Sequence, residues 1–161
     1  MDGKTVSVSQ AMLSELTLPN DANGLGTLLG GRLMHLVDIA GALAAARHSR
    51  QFVVTASVDH MDFVEPVMIG ELLVLRASVN RAFRTSMEVG VKVWAENMRT
   101  AYNRHVASAY LTFVALDKDR NAIPVPPLIA ESEDEQRRFE EAGQRREYRL
   151  AHRRTRKGNK T

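Results

Sequence analysis

The fold of this chain is decided by one apolar stretch, Leu33-Met34-His35-Leu36-Val37-Asp38-Ile39-Ala40-Gly41-Ala42-Leu43-Ala44-Ala45-Ala46. Its side chains are apolar or small on almost every side, which predicts a helix from about Gly31 to Ser49 that lies inside the protein. Asp38 is the single carboxylate of this stretch. A carboxylate among apolar residues needs a partner or a function, so Asp38 is either a satisfied core residue or a catalytic one.

A glycine-rich loop precedes the helix and contains a second candidate residue, Asn23. The loop ends in the pair Gly30-Gly31, which places free backbone N–H groups at the helix N-terminus, where the helix dipole favours negative charge. Such N–H groups can stabilise a carbonyl oxygen as it becomes an oxyanion, while Asp38 activates a water molecule. The simpler alternative is a tight turn that binds no ligand.

Four segments after the helix alternate between apolar and polar residues and are predicted to be β-strands. They are residues 52–63, 71–82, 86–96 and 100–116. Their short connections favour antiparallel pairing, so a curved antiparallel sheet should wrap around the helix in an α+β fold. We expect a short strand or helix within residues 7–17. A C-terminal surface helix is expected from residue 131 to about 155, with a frayed end after about Leu150.

Composition limits the classes of function. The chain has 161 residues, 44% of them hydrophobic and 25% charged, which suits one globular domain. It has no cysteine, which excludes disulfides, a thiolate nucleophile and cysteine-based zinc sites. The histidines are too scattered for a metal site, so no metal is expected. Neither a signal peptide nor a membrane span is expected, which favours a cytoplasmic protein.

The basic residues are concentrated at the C-terminus. Residues 145–161 carry eight Lys or Arg residues and one acid, Glu147, so the rest of the chain is net acidic although the whole has a charge of +3. Tyr148 is the only aromatic residue among these cations. This composition favours a solvated tail, so we expect no nucleic-acid partner.

Several segments, in order over roughly residues 15–145, resemble the acyl-CoA thioesterases of the cytosolic acyl-CoA hydrolase group, which have the hotdog fold. The segments include Asn23-Gly24 with Gly30-Gly31, Met34 through Gly41, Val54 through Asp59, Arg84 through Val89, and Ala109 through Leu116. The resemblance implies a hotdog acyl-CoA hydrolase domain over residues 1–130. The C-terminal helix and basic tail then occupy residues 131–161.

The resemblance also implies the reaction, which is hydrolysis of acyl-CoA to a carboxylate and coenzyme A with no separate cofactor. It assigns the catalytic roles to Asp38, as general base, and to Asn23. In the family these two residues face each other across a dimer interface, so a homodimer with shared sites is implied, and three such dimers commonly form a hexamer. The family binds the nucleotide end of coenzyme A in the region that matches Arg84, Thr85 and Ser86. Covalent attack by Asp38, giving an anhydride, stays open.

Two departures from the family pattern and two alternative functions remain. Leu29 stands where relatives often have Phe or His. Arg32 follows the glycine pair although a cation opposes the helix dipole there, so a phosphate or a partner subunit is a candidate acceptor.

A hotdog hydratase or dehydratase is faintly suggested by Pro66 through Glu71, without the expected histidine. The other alternative is a non-catalytic acyl-CoA-binding protein.

Overall fold

In the computed structural model, which describes residues 1–158, an antiparallel sheet curves around one long helix. The helices are α1 (Val6–Ser9), α2 (Gly30–Ser49) and α3 (Glu133–Gly158). The strands are β1 (Lys4–Thr5), β2 (Ala11–Leu16), β3 (Phe52–Phe63), β4 (Leu72–Ala82), β5 (Ser86–Glu96), β6 (Asn103–Leu116) and β7 (Leu128–Ile129). The predicted α+β architecture is confirmed, and residues 7–17 contain both the end of α1 and the strand β2.

The main sheet has five strands in the order β2-β4-β5-β6-β3, and every neighbouring pair is antiparallel. The strands β2 and β3 are therefore its two edges. The pairing of β3 with β6 shifts register twice, between Thr55 and Ser57 and between Val58 and His60. The short strands β1 and β7 form a separate parallel pair.

Helix α2 packs one face against the concave side of the sheet. That face consists of Leu33, Leu36, Val37, Ala40, Gly41, Ala44 and Ala45, all buried. Gly41 allows close approach to the sheet, because a Cβ there would come within 2.9 Å of the Phe113 ring. The helix ends where Arg50 adopts a left-handed conformation with φ of 56°.

The opposite face of α2 is exposed in the single chain, so the expectation that this helix is buried on every side was wrong for one protomer. Met34, Ile39 and Leu43 are 46%, 36% and 42% exposed. We call this face, with Gly31, His35 and Asp38, the open stripe of α2. The edge strand β3 next in the chain also exposes apolar side chains, among them Phe52, Val54 and Val58. The apolar sequence of α2 is thus explained only if something covers the open stripe.

Helix α3 lies across the convex side of the sheet and is helical as far as Gly158, so the expected fraying after Leu150 was wrong. Arg, Ala and Lys are strong helix formers, and the docked turns before Leu150 remove the cost of nucleation. The last residues of the predicted tail, 159–161, lie outside the described residues. None of the described helices is long and apolar enough to cross a membrane.

Candidate active site

The loop that carries Asn23 is closed by the Asn23 side chain itself. Its Oδ1 accepts hydrogen bonds from the backbone N–H groups of Leu25 at 2.9 Å and Thr27 at 3.2 Å. Its Nδ2 donates to Thr27 Oγ1 at 2.8 Å, which leaves one amide hydrogen unused among the described residues. Gly26 makes the turn with a φ of +77°, a conformation that glycine adopts without strain.

An ion pair holds the segment behind this loop. The Leu28 N–H donates to the Val67 carbonyl at 2.8 Å. The following turn is fixed because Glu71 accepts a hydrogen bond from the Met68 N–H at 2.9 Å and another from Arg104 at 2.8 Å. The hydrogen bond from Arg104 lowers the pKa of Glu71 below its ordinary value. Glu71 is buried, and its carboxylate fixes the turn at Met68, next to Val67, which pairs with the end of the Asn23 loop.

The glycine pair lies at the start of α2, as predicted. The N–H groups of Gly30 and Gly31 have no acceptor in the described part of the chain, and both residues are exposed. A cavity of about 270 Å³ opens beside Gly30, between Leu33 and Phe63. Donors aimed at open space with the positive end of the helix dipole behind them are suited to an oxyanion.

Arg32 is neutralised within its own chain. Its Nη2 lies 3.1 Å from a carboxylate oxygen of Glu15, and its Nε lies 3.1 Å from one of Asp21. The sequence suggested a phosphate or a partner subunit as its acceptor, whereas within the protomer its acceptors are these two carboxylates. These two carboxylates also offset the cost of a cation at the helix N-terminus.

Asp38 lies on the open stripe, about two helical turns after Gly31 and on the same side of α2. Its Oδ1 accepts a hydrogen bond of 2.5 Å from the Thr55 hydroxyl on β3. Its Oδ2 has no hydrogen-bond partner among the described residues. The sequence did not identify Thr55 as a site residue. Its position opposite the buried Phe113, on the strand face that meets the helix, follows from the register of β3 with β6.

The structure brings together some of the predicted residues and separates others. Gly30, Gly31 and Asp38 share one face of α2. Asn23 makes no contact with Asp38 within the protomer. Arg84, Thr85 and Ser86 form the hairpin between β4 and β5, close to the end of β6, where Ala115 N–H donates to the Thr85 carbonyl at 3.0 Å. The Arg84 side chain is exposed and has no partner in the part of the chain that the structure describes.

Comparison with known proteins gives the family. Residues 25–102 match the model of the thioesterase superfamily. The chain is 39% identical to YkhA of Bacillus subtilis, an uncharacterized acyl-CoA thioester hydrolase, over 79% of this chain and 74% of that protein. It is 37% identical to the human cytosolic acyl coenzyme A thioester hydrolase over 85% of this chain, but spans 37% of that longer protein.

Solved structures agree with these relatives. An acyl-CoA hydrolase from Staphylococcus aureus, in complex with butyryl coenzyme A and coenzyme A, has a TM-score of 0.89 at 35% identity and covers 97% of this chain and 95% of its own. A hexameric acyl-CoA thioesterase has a TM-score of 0.91 at 36% identity, over 94% of this chain and 97% of its own. The Staphylococcus enzyme has also been solved with alanine replacing one aspartate, one asparagine and one threonine. The chain therefore belongs to the thioesterase superfamily, as a hotdog-fold acyl-CoA thioester hydrolase.

Proposed function

We propose that the protein hydrolyses acyl-CoA to a carboxylate and coenzyme A with Asp38 as general base, at a site that two protomers share. The observation that carries this proposal is the hydrogen bond between Thr55 and Asp38 on the open stripe of α2. In the Staphylococcus enzyme, the substituted asparagine, aspartate and threonine are separated by the same intervals along the chain as Asn23, Asp38 and Thr55.

The geometry of Asp38 suits a base that acts on water. The hydroxyl of Thr55 occupies Oδ1 and fixes the direction of the carboxylate, while Oδ2 is left to accept a hydrogen from a water molecule. Gly31 lies about 10 Å back along the helix axis, and side chains lean towards the helix N-terminus. The space between the carboxylate and the glycine N–H groups therefore has room for a water and a thioester carbonyl, whose developing charge the N–H groups of Gly30 and Gly31 would stabilise.

The edge strand β3 supports the homodimer. It offers a long row of unpaired backbone groups and several exposed apolar side chains. Two copies of β3 that pair antiparallel about a two-fold axis place the Phe63 end of one strand beside the Phe52 end of the other. Gly30 lies beside Phe63, so the helix start and the preceding Asn23 loop of the partner subunit come to the end that carries Thr55.

Asn23 of the partner subunit then completes the site. Its Nδ2 retains one hydrogen after closing its own loop, and this hydrogen can be donated to the attacking water or to the acyl carbonyl. Because the remaining amide contacts hold the side chain in place, the donor needs no rearrangement before reaction.

The Arg84 hairpin is proposed to bind the nucleotide end of coenzyme A, together with Thr85 and Ser86. Ser86 pairs with Val114, and Val114 pairs with Val54, so the hairpin lies at the same sheet end as Thr55. A free guanidinium at that rim can bind a phosphate in bidentate geometry.

We further propose that three dimers form a hexamer, since a hexameric thioesterase is 36% identical over 94% of this chain. The cytosolic mammalian relatives support a cytoplasmic location. The proposed reaction uses no metal or separate cofactor. The described residues contain no group of three or more His, Cys, Asp or Glu residues arranged to hold a metal ion.

The test is release of free thiol from a panel of acyl-CoA esters of increasing chain length, followed with a thiol reagent. Hydrolysis frees the thiol, whereas a hydratase, a dehydratase or a binding protein does not. Asp38→Asn should lower turnover by about 10²- to 10⁴-fold while the protein keeps its thermal unfolding transition. Wild-type turnover in folded Asp38→Asn protein would refute the assignment.

A further inference from the structure

Helix α3 crosses the convex face of the sheet along one cross-strand row. Register places in this row Arg81 of β4, Glu88 of β5, Thr112 of β6 and Ser57 of β3. Arg81 donates to the Phe139 carbonyl at 3.2 Å near the start of the helix. Arg145 donates to both carboxylate oxygens of Glu88, at 2.8 and 3.0 Å. Arg149 then reaches Thr112 at 3.0 Å, so α3 runs from β4 towards the edge strand β3.

After Arg149 the helix continues past the edge of the sheet. Residues 150–158, which we call the overhang, extend about 13 Å further at 1.5 Å per residue. That length equals about two to three strand spacings. The side-chain hydrogen bonds of the overhang within the described chain run to the backbone of α3 itself. Its cations Arg153, Arg154, Arg156 and Lys157 are exposed and form no ion pair with any described residue.

An open pocket of about 670 Å³ lies between the overhang and β3. Among its lining residues are Ser57 and Val58 of the strand and Arg149, Arg153 and Arg156 of the helix. A strand added to β3 would lie about 4.8 Å away, directly beneath the overhang. In the proposed dimer, that strand is β3 of the partner subunit.

We propose that the overhang of each α3 lies on the convex face of the partner subunit's sheet, with Arg153 and Arg156 directed at the partner subunit's Asp62. The proposal rests on the dimer through β3 described above. Arg153 and Arg156 follow Arg149 by about one and two turns on the same side of the helix, so they face the sheet as Arg149 does. The two C-terminal helices then hold the dimer together from the side opposite to α2, and we call this arrangement the clasp.

Helix packing restricts where the two-fold axis can pass. The two copies of α3 run antiparallel, and packed helices need about 8–10 Å between their axes. A two-fold axis that passes through the Ser57 row would place the two copies of α3 on the same line, where they would overlap. Each residue of displacement along β3 separates the two helices by about 6.6 Å, so the axis must be displaced by about one and a half residues or more.

Charge decides the direction of this displacement. Displacement by two residues towards Phe63 sets the overhang above the partner subunit's Asp62, which faces the convex side because it pairs with Ser108. The Asp62 side chain is 64% exposed, and its Oδ2 lies 2.7 Å from His60 Nε2 of its own chain. The same displacement towards Phe52 would set these cations above the apolar Phe52 instead. Only the first arrangement pairs the cations with a carboxylate.

The absence of native cysteines allows a direct test by cross-linking. Full-length chains with Arg153→Cys and with Asp62→Cys are co-expressed under different tags, purified as the mixed species and treated with a short bismaleimide. We expect a covalent heterodimer from this pair. The matched control, Arg154→Cys with Asp62→Cys, places the thiol about 100° further round the helix and should give little product.

Charge exchange gives a second readout. Arg153→Glu with Arg156→Glu should raise the dimer dissociation constant at low salt about ten-fold, which corresponds to about 1.4 kcal/mol. Adding Asp62→Arg should restore most of the affinity, whereas Arg154→Glu with Lys157→Glu, which carries the same charge change, should have a smaller effect.

The outcomes separate the clasp from the proposed function. An active, dimeric wild-type protein with no cross-link between positions 153 and 62 would overturn the clasp alone, as would equal weakening by the control pair. A monomeric wild-type protein would overturn both the clasp and the shared site.

Discussion

The hydroxyl of Thr55 donates a hydrogen bond of 2.5 Å to Asp38, and this contact ties the edge strand β3 to the central helix α2. The two residues meet at the boundary between the core and the open stripe. A carboxylate held in this way has one oxygen fixed and the other open to solvent. The role of Thr55 can therefore be separated from the role of Asp38 by mutation.

Thr55→Val should lower kcat by about 10- to 100-fold and leave KM nearly unchanged. The hydrogen bond orients the carboxylate without touching the remote parts of the substrate, and bonds to charged groups contribute about 1.5–3 kcal/mol. Steady-state kinetics with acyl-CoA measures both constants. Thr55→Ser, which keeps the hydroxyl, is the control and should retain most activity; equal loss in both variants would contradict a hydrogen-bonding role.

Mixed dimers should recover activity from two inactive chains. Asn23→Ala and Asp38→Ala each damage both sites of a homodimer, but a heterodimer of the two keeps one intact site. Co-expression with two tags and sequential purification isolates mixed oligomers, in which each dimer of unlike chains should release thiol at about half of the wild-type rate. Heterodimers as inactive as the parent chains would show that each site lies within one protomer.

Arg84→Ala should raise KM for acyl-CoA and leave kcat almost unaltered, because the phosphate contact is made equally in the ground state and the transition state. A truncated thioester that lacks the nucleotide is the matched substrate control, and its hydrolysis should not change. A similar rise in KM for both substrates would place the nucleotide elsewhere.

Glu71→Gln should destabilise the protein at pH 7 by about 1–3 kcal/mol, since Arg104 loses its buried carboxylate. Arg104 lowers the pKa of Glu71 in the folded state. The carboxylate therefore stabilises the fold above the ordinary pKa of 4.5, and this contribution is lost as the pH falls through the lower folded value. Urea unfolding should show a gap between wild type and variant at pH 7 that narrows under acid conditions.

Glu65→Gln is the control for that experiment. Glu65 also contacts Arg104, at 3.0 Å, but its side chain is 51% exposed, so its removal should change stability little. If the two variants were equally unstable, the Arg104 charge itself, rather than the buried hydrogen bonds of Glu71, would be the stabilising feature.

The helices and strands were predictable from the sequence because their apolar residues recur with a clear period. The strands β3 and β5 have the predicted bounds, and α2 begins one residue before the predicted start. The helix α3 was predicted too short because an end with few apolar residues suggests fraying, whereas its length depends on docking. The contact of Arg145 with Glu88 joins residues 57 positions apart, and no local pattern reports such a contact.

The candidate site shows the same difference between features that a local pattern reveals and contacts that depend on the fold. A lone carboxylate in an apolar helix and a glycine pair before it are local features, so the sequence alone determined Asp38, Gly30 and Gly31 as candidates. That Thr55 lies against Asp38, and that Arg32 is neutralised by Glu15, depended on strand register and chain packing. The tertiary structure also decided that one face of α2 is left uncovered, because the single sheet can cover only one side of an apolar helix.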